Sequence, residues 1–118
     1  MSSIASTAIQ WINQHPPDGY TAHGSTPDPR PERYITVQRS GGVRTRYRDD
    51  AMLIVQVNAP TRSQAADTAE QVADLLLDMW RLPEIADVEI HSIADASLNG
   101  PPTEHRYQIT AEDRKSVV

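Results

Sequence analysis

Residues 51–58 read AMLIVQVN and sort cleanly into two sets. Ala51, Leu53, Val55 and Val57 are wholly apolar, whereas Met52, Ile54, Gln56 and Asn58 are half apolar. Successive side chains of a strand point to opposite faces, so the first set must face a core and the second must sit on a partly covered surface. Pro60 follows, and Thr61 with Gln64 forms a capping-box pair that starts a helix. Ala65, Ala69, Val72, Leu76 and Met79 or Trp80 then recur at helical spacing, and Asp67, Gln71, Asp74 and Asp78 line the other side. Residues 61–80 span about 30 Å at ~1.5 Å per residue, enough to cross a small sheet. Pro83 ends the helix. A strand with one wholly apolar face, leading directly into an amphipathic helix, requires that helix to cover a sheet.

The flanking segments complete the sheet. Ser2 or Ser3 caps a first helix carrying Ile4, Ala8, Trp11 and Ile12, which stops near His15 before Pro16 and Pro17. Residues 16–31 are rich in Pro, Gly, Ser and Asp and lack any apolar period, so they read as a loop or mobile arm. Tyr34, Ile35, Thr36 and Val37 favour a strand over 32–39, and Ser40, Gly41 and Gly42 signal a turn. Further strands are expected over 85–94 and 104–111, joined by a turn at 97–102, with a frayed polar tail at 113–118. The expected architecture is a single α+β domain of order α-β-β-α-β-β: a mostly antiparallel four-stranded sheet with two helices packed on one face. A chain of 118 residues holds one such core and no second.

Chemistry is sparse. There is no cysteine, which removes disulfides and thiolate metal sites and fits a reducing compartment. No apolar run reaches the ~20 residues that cross a bilayer, and the first residues lack the pattern of a signal peptide. His15 and His23 flank or lie in the arm, while His91 and His105 fall on the last two strands and become neighbours if those strands pair. Two imidazoles do not make a metal centre, so no metal and no cofactor is expected. Asp49 and Asp50 read as turn carboxylates at the foot of a strand, and Asp87 and Glu89 as solvent-facing. Nucleophile-elbow, phosphate-loop and dinucleotide fingerprints are absent, so no enzymatic activity is expected.

Charge distribution says more. The chain has a formal net charge of −5, yet residues 30–48 hold six arginines and one glutamate. Residues 49–104 hold eleven acids against two arginines. A basic stretch with Tyr34 and Tyr47 interleaved is compatible with phosphate contacts. The acidic remainder opposes them at long range, so specific nucleic-acid binding is not expected. A molecule with a positive and a negative end is better suited to docking copies of itself or a partner in fixed register.

The segments RYITVQRSGG, DDAMLIVQVNAPTRSQAADTAEQVADLLLD, SLNGPP and RYQITAE occur in this order over residues 32–112. Together they resemble the tail terminator proteins of phages with long non-contractile tails. The resemblance implies a structural virion protein of the tail neck, assembled in the host cytoplasm, on an α+β sandwich. Such proteins form a homohexameric ring that caps the tail tube, stops its polymerisation and presents a head-joining surface. The implied partners are further copies of the chain, the major tail tube protein and a head–tail connector protein, with no membrane. The alternatives are another connector or neck protein or, outside that class, a small nucleic-acid-binding or accessory binding domain. On this reading Arg39, Gly41, Gly42, Arg44 and Arg46 form a contact hairpin, and Asp67, Asp74 and Asp78 are candidate partners on an adjacent subunit.

Overall fold

The computed structural model describes residues 4–44, 48–83, 85, 87–100 and 103–116; of these, the side chains of 42–44, 48, 49 and 114–116 are not described. In chain order the elements are α1 (Ile4–Gln14), β1 (Ala22–His23), β2 (Tyr34–Arg44), β3 (Arg48–Ala59), α2 (Arg62–Leu77), a 3-10 turn (Asp78–Arg81), β4 (Val88–Asp95) and β5 (His105–Ser116).

β3 is the centre of this fold for the reason its alternation implies. Ala51, Leu53, Val55 and Val57 are buried, while Met52, Ile54 and Gln56 are half-buried on the opposite face. β2 and β5 pair with it antiparallel on either side, and β4 pairs antiparallel with β5. The sheet order is β1-β2-β3-β5-β4. The expected sheet is corrected in one respect: it has five strands and is mixed, because Ala22 and His23 pair parallel with Ile35 and Thr36.

Both helices lie on the inner face. Ala8 and Ile12 of α1 and Ala65, Ala69, Val72, Ala73 and Leu76 of α2 join Ile35, Val37, Leu53, Val55, Val57, Ile109 and Ala111 in one core cluster. Thr61 caps α2, its side chain accepting a hydrogen bond from the Gln64 backbone N–H, which satisfies one of the free donors at the helix start. The helical stripe ends on Met79, which is fully buried, while Trp80 is 56% exposed. The Trp11 indole Nε1–H donates to the Leu75 carbonyl at 2.7 Å and so ties α1 to α2.

Residues 16–31 divide in two. Pro17, Tyr20 and Ala22 are buried. The Asn13 side-chain amide meets the backbone of Ala22 as a neighbouring strand would: Nδ2 donates to the Ala22 carbonyl at 3.1 Å, and the Ala22 N–H donates to Oδ1 at 2.8 Å. Absence of a period did not prevent burial, because three well-spaced apolar contacts and one amide hold this half to the edge of the sheet. Residues 24–32 are mostly exposed. At the other end of the chain, pairing continues to Ser116, so residues 113–116 belong to β5, where a polar tail was expected.

Gly41 and Gly42 do not form the hairpin turn. The ladder steps from Arg39↔Leu53 to Gly42↔Ala51, so β2 carries one extra residue and continues to Arg44. Gly41 takes φ +111° there, a backbone conformation open to glycine and costly for other residues. Glycine signals a left-handed backbone, and a bulge needs one as much as a turn does. A second extra residue occurs in β4, where Ile90↔Ala111 is followed by Ser92↔Thr110 and His91 is left over.

Candidate functional site

Arg39 is exposed on β2, with its Nε–H donating to the Gly41 carbonyl at 3.3 Å. Gly41 has no described neighbour, its chain neighbours aside, within 4 Å of where a Cβ would stand. Gly42 pairs with Ala51 and Arg44 with Asp49. The bulge has a geometric effect here: positions 39 and 44 are an odd number apart, yet both fall on the helix-bearing face of the ladder. Arg46 lies outside the described residues.

Asp67, Asp74 and Asp78 are exposed on the outer side of the helical layer. Asp78 closes α2, its backbone N–H bonding back to the carbonyls of Asp74, Leu75 and Leu76. Asp74 and Asp78 also line a shallow concavity of about 300 Å³ with His15, Pro16, Pro17, Gln71 and Leu75. The arginine-bearing strand and the aspartate-bearing helix face are thus separate surfaces.

At the Ala59 end, residues 30–32 of the connecting loop, Tyr34, Asn58 and residues 103–105 line an open pocket of about 230 Å³. Glu104 pairs with both Arg30 and Arg106, and Arg106 Nε–H donates to Asn58 Oδ1 at 3.1 Å. Asn58 is buried on the outer face, and this bond gives its polar group a partner. His105 borders the pocket, and its Nδ1 is buried with no hydrogen-bond partner among the described residues. Sequence reasoning missed this network because its members are separated by up to 74 residues.

β4 and β5 do pair, but His91 and His105 are not neighbours. His91 stands beside Ala111, while His105 is opposite Ala59 at the far end of β5. Instead, Glu89, His91 and Glu112 converge, with one donor atom from each lying within 4.8 Å of the others. His91 Nε2 is 2.9 Å from Glu112 Oε1. Asp50, expected in a turn, is buried within β3.

The β4 bulge also explains Asp95. Val88 and Ile90 face inward, and the extra residue lets Ile93 and Asp95 face inward too, so Asp95 reaches Arg62 Nε at 2.9 Å. Hydrogen bonds from Ser97, through its side chain and then its backbone N–H, hold the Asp95 carboxyl below its ordinary value of 3.8, and the Arg62 charge adds to this.

No helix among the described residues is long and apolar enough to cross a membrane. A scan against protein-family models and a search of curated proteins both find no match to this chain.

Proposed function

We propose that this chain is a structural protein of a phage virion that acts as a tail terminator, closing into a homohexameric ring on the tail tube. The resemblance in sequence order motivates this reading. One structural observation supports it further: Arg39 is exposed on β2, while Asp67, Asp74 and Asp78 are exposed on the helical layer, a different part of the domain. A 12-residue strand spans about 40 Å at ~3.3 Å per residue, so β3 accounts for much of the 48 Å long axis of the molecule. Toward its hairpin end the core cluster stops at Leu53, but the ladder runs on to Arg48. Arg39 stands opposite Leu53, where that extension begins, and position 44 lies on it opposite Asp49, while Asp67, Asp74 and Asp78 lie on the helical layer.

Two unlike patches on one subunit make a head-to-tail contact, and head-to-tail contacts that close produce rings. Arginine suits the positive side of such a contact because its planar fork pairs with carboxylates in fixed geometry. The outer side of the ring then meets the major tail tube protein on one surface and the head–tail connector on the other.

The decisive experiment mixes the purified chain with polymerising tail tube subunits and images the products. Capped tubes of uniform length are expected. The double substitution Arg39→Glu and Arg44→Glu should leave melting nearly unchanged, since surface changes usually stay within about ±0.5 kcal/mol. It should abolish capping, because like charges placed across an interface cost on the order of several kcal/mol. Charge reversal at Asp67, Asp74 and Asp78 should partly restore assembly of the double variant. Normal capping by the double variant at physiological salt would show that the arginines are not the contact.

A further inference from the structure

We propose that Glu89, His91 and Glu112 form a binding site for a first-row divalent cation, best matched by Zn²⁺, on the outer face of the sheet. The site is independent of the assembly reading above. Its first support is convergence. The three donor atoms lie within 4.8 Å of one another, and the His91–Glu112 pair is already at 2.9 Å. Ligand atoms around tetrahedral zinc, with bonds of about 2.0–2.1 Å, sit roughly 3.4 Å apart. Metal binding replaces the His91–Glu112 hydrogen bond, widening that pair from 2.9 Å to about 3.4 Å, and draws in the Glu89 carboxylate.

The second support is the backbone register. Glu89 and Glu112 are direct cross-strand partners, which places two carboxylates side by side on one face. Like charges directly opposite each other in a ladder are destabilising, and a cation held between them reverses the sign of that interaction. The Glu112 side chain is only 13% exposed, so its charge is poorly screened by water, whereas His91 at 37% leaves an open approach.

The bulge supplies the third. His91 is the residue without a ladder partner, and its imidazole nonetheless reaches the outer-face carboxylate of Glu112. A bulge is a device that re-aims single side chains.

The donor set fixes the cation class. An imidazole nitrogen with two carboxylates favours zinc and its transition-metal neighbours, whereas Mg²⁺ and Ca²⁺ prefer oxygen alone. Three protein ligands leave one position of a tetrahedron for water or for a donor from another molecule.

Calorimetric titration of the full chain with ZnCl₂ near neutral pH tests the assignment. One Zn²⁺ per chain is expected, with His91→Ala, Glu112→Gln and Glu89→Gln each weakening binding by at least about tenfold. His105→Ala should leave it unchanged. Circular dichroism and melting of each variant establish that it is folded. Glu89→Gln, an exposed change, keeps the test open if Glu112→Gln fails to fold. Absence of Zn²⁺ binding overturns the proposal. So does binding that survives His91→Ala, or Mg²⁺ binding as tight as Zn²⁺, since either reveals a nonspecific acidic surface.

Discussion

The two faces of this sheet obey different rules. On the inner face, position in the strand decides everything: Leu53, Val55 and Val57 are buried and apolar, under helices whose stripes have the matching period. On the outer face, burial is partial and polar groups are kept by pairing. Gln56 Nε2 donates to Gln108 Oε1 at 3.2 Å, Arg106 serves Asn58, and His91 meets Glu112. Under the helices the inner face is built by exclusion of water, and two of its charged residues, Arg39 and Asp95, are exposed toward its margins. The outer face is where this chain brings polar side chains from neighbouring strands together.

The largest test of that contrast compares adjacent residues of β3. Leu53→Ala should cost about 2–5 kcal/mol, the usual range for a fully buried leucine, whereas Ile54→Ala on the half-buried outer face should cost less than half as much. Urea midpoints measured on both variants decide it, and equal losses would mean that the outer face is also a core.

The next test asks whether the inner layer extends to the sheet edge. Asn13→Ala removes both bonds to Ala22 and should cost about 1–3 kcal/mol, the penalty for polar backbone left without a partner. Amide exchange sharpens the result: residues 20–23 should be protected in the native chain and lose protection in the variant, while residues 24–32 exchange fast in both. Gly41→Ala probes the bulge. Among the described residues beyond its chain neighbours no atom stands within 4 Å of the new Cβ, so the expected loss of about 1–3 kcal/mol is backbone strain at φ +111°. A neutral result in a melting experiment would show that the bulge relaxes freely.

The smallest effect concerns Asp95. Its carboxyl is held below its unfolded value, so its stabilising contribution is present above pH 3.8 and is lost as pH falls toward and through the lowered value. Asp95→Asn should therefore lower stability slightly at neutral pH, leave it unchanged below the lowered value, and so flatten the acid limb of a stability-versus-pH curve.

Inner-face residues were legible in the sequence because period and burial coincide there. The alternation of 51–58, the Thr61 cap and the helical stripe all predict what the structure contains. The glycine pair was legible as a special backbone but not as a bulge, since a turn and a bulge call for the same residues and only the ladder, which runs on to Arg44↔Asp49, tells them apart. β1 has two residues, too few for any pattern. The bulge at His91 left a faint signal: Val88, Ile90 and Ile93 are spaced by two and then three, which keeps one apolar face only if a residue is extra. The outer-face site depends on that register between distant segments, and no local pattern encodes it.

The position of β5 has a consequence for how the chain is made. β3 occupies the middle of the sheet, but one of its two neighbours is residues 105–116. During synthesis, β2 and β3 pair early and locally, and the helices can settle on one face. The far edge of β3 nevertheless stays open until those later residues have left the ribosome. An open apolar strand edge is a template for pairing with other chains. A ribosome paused before residue 105 should therefore carry an aggregation-prone nascent chain, and one paused on an added C-terminal linker long enough for residue 116 to clear the ribosome should not.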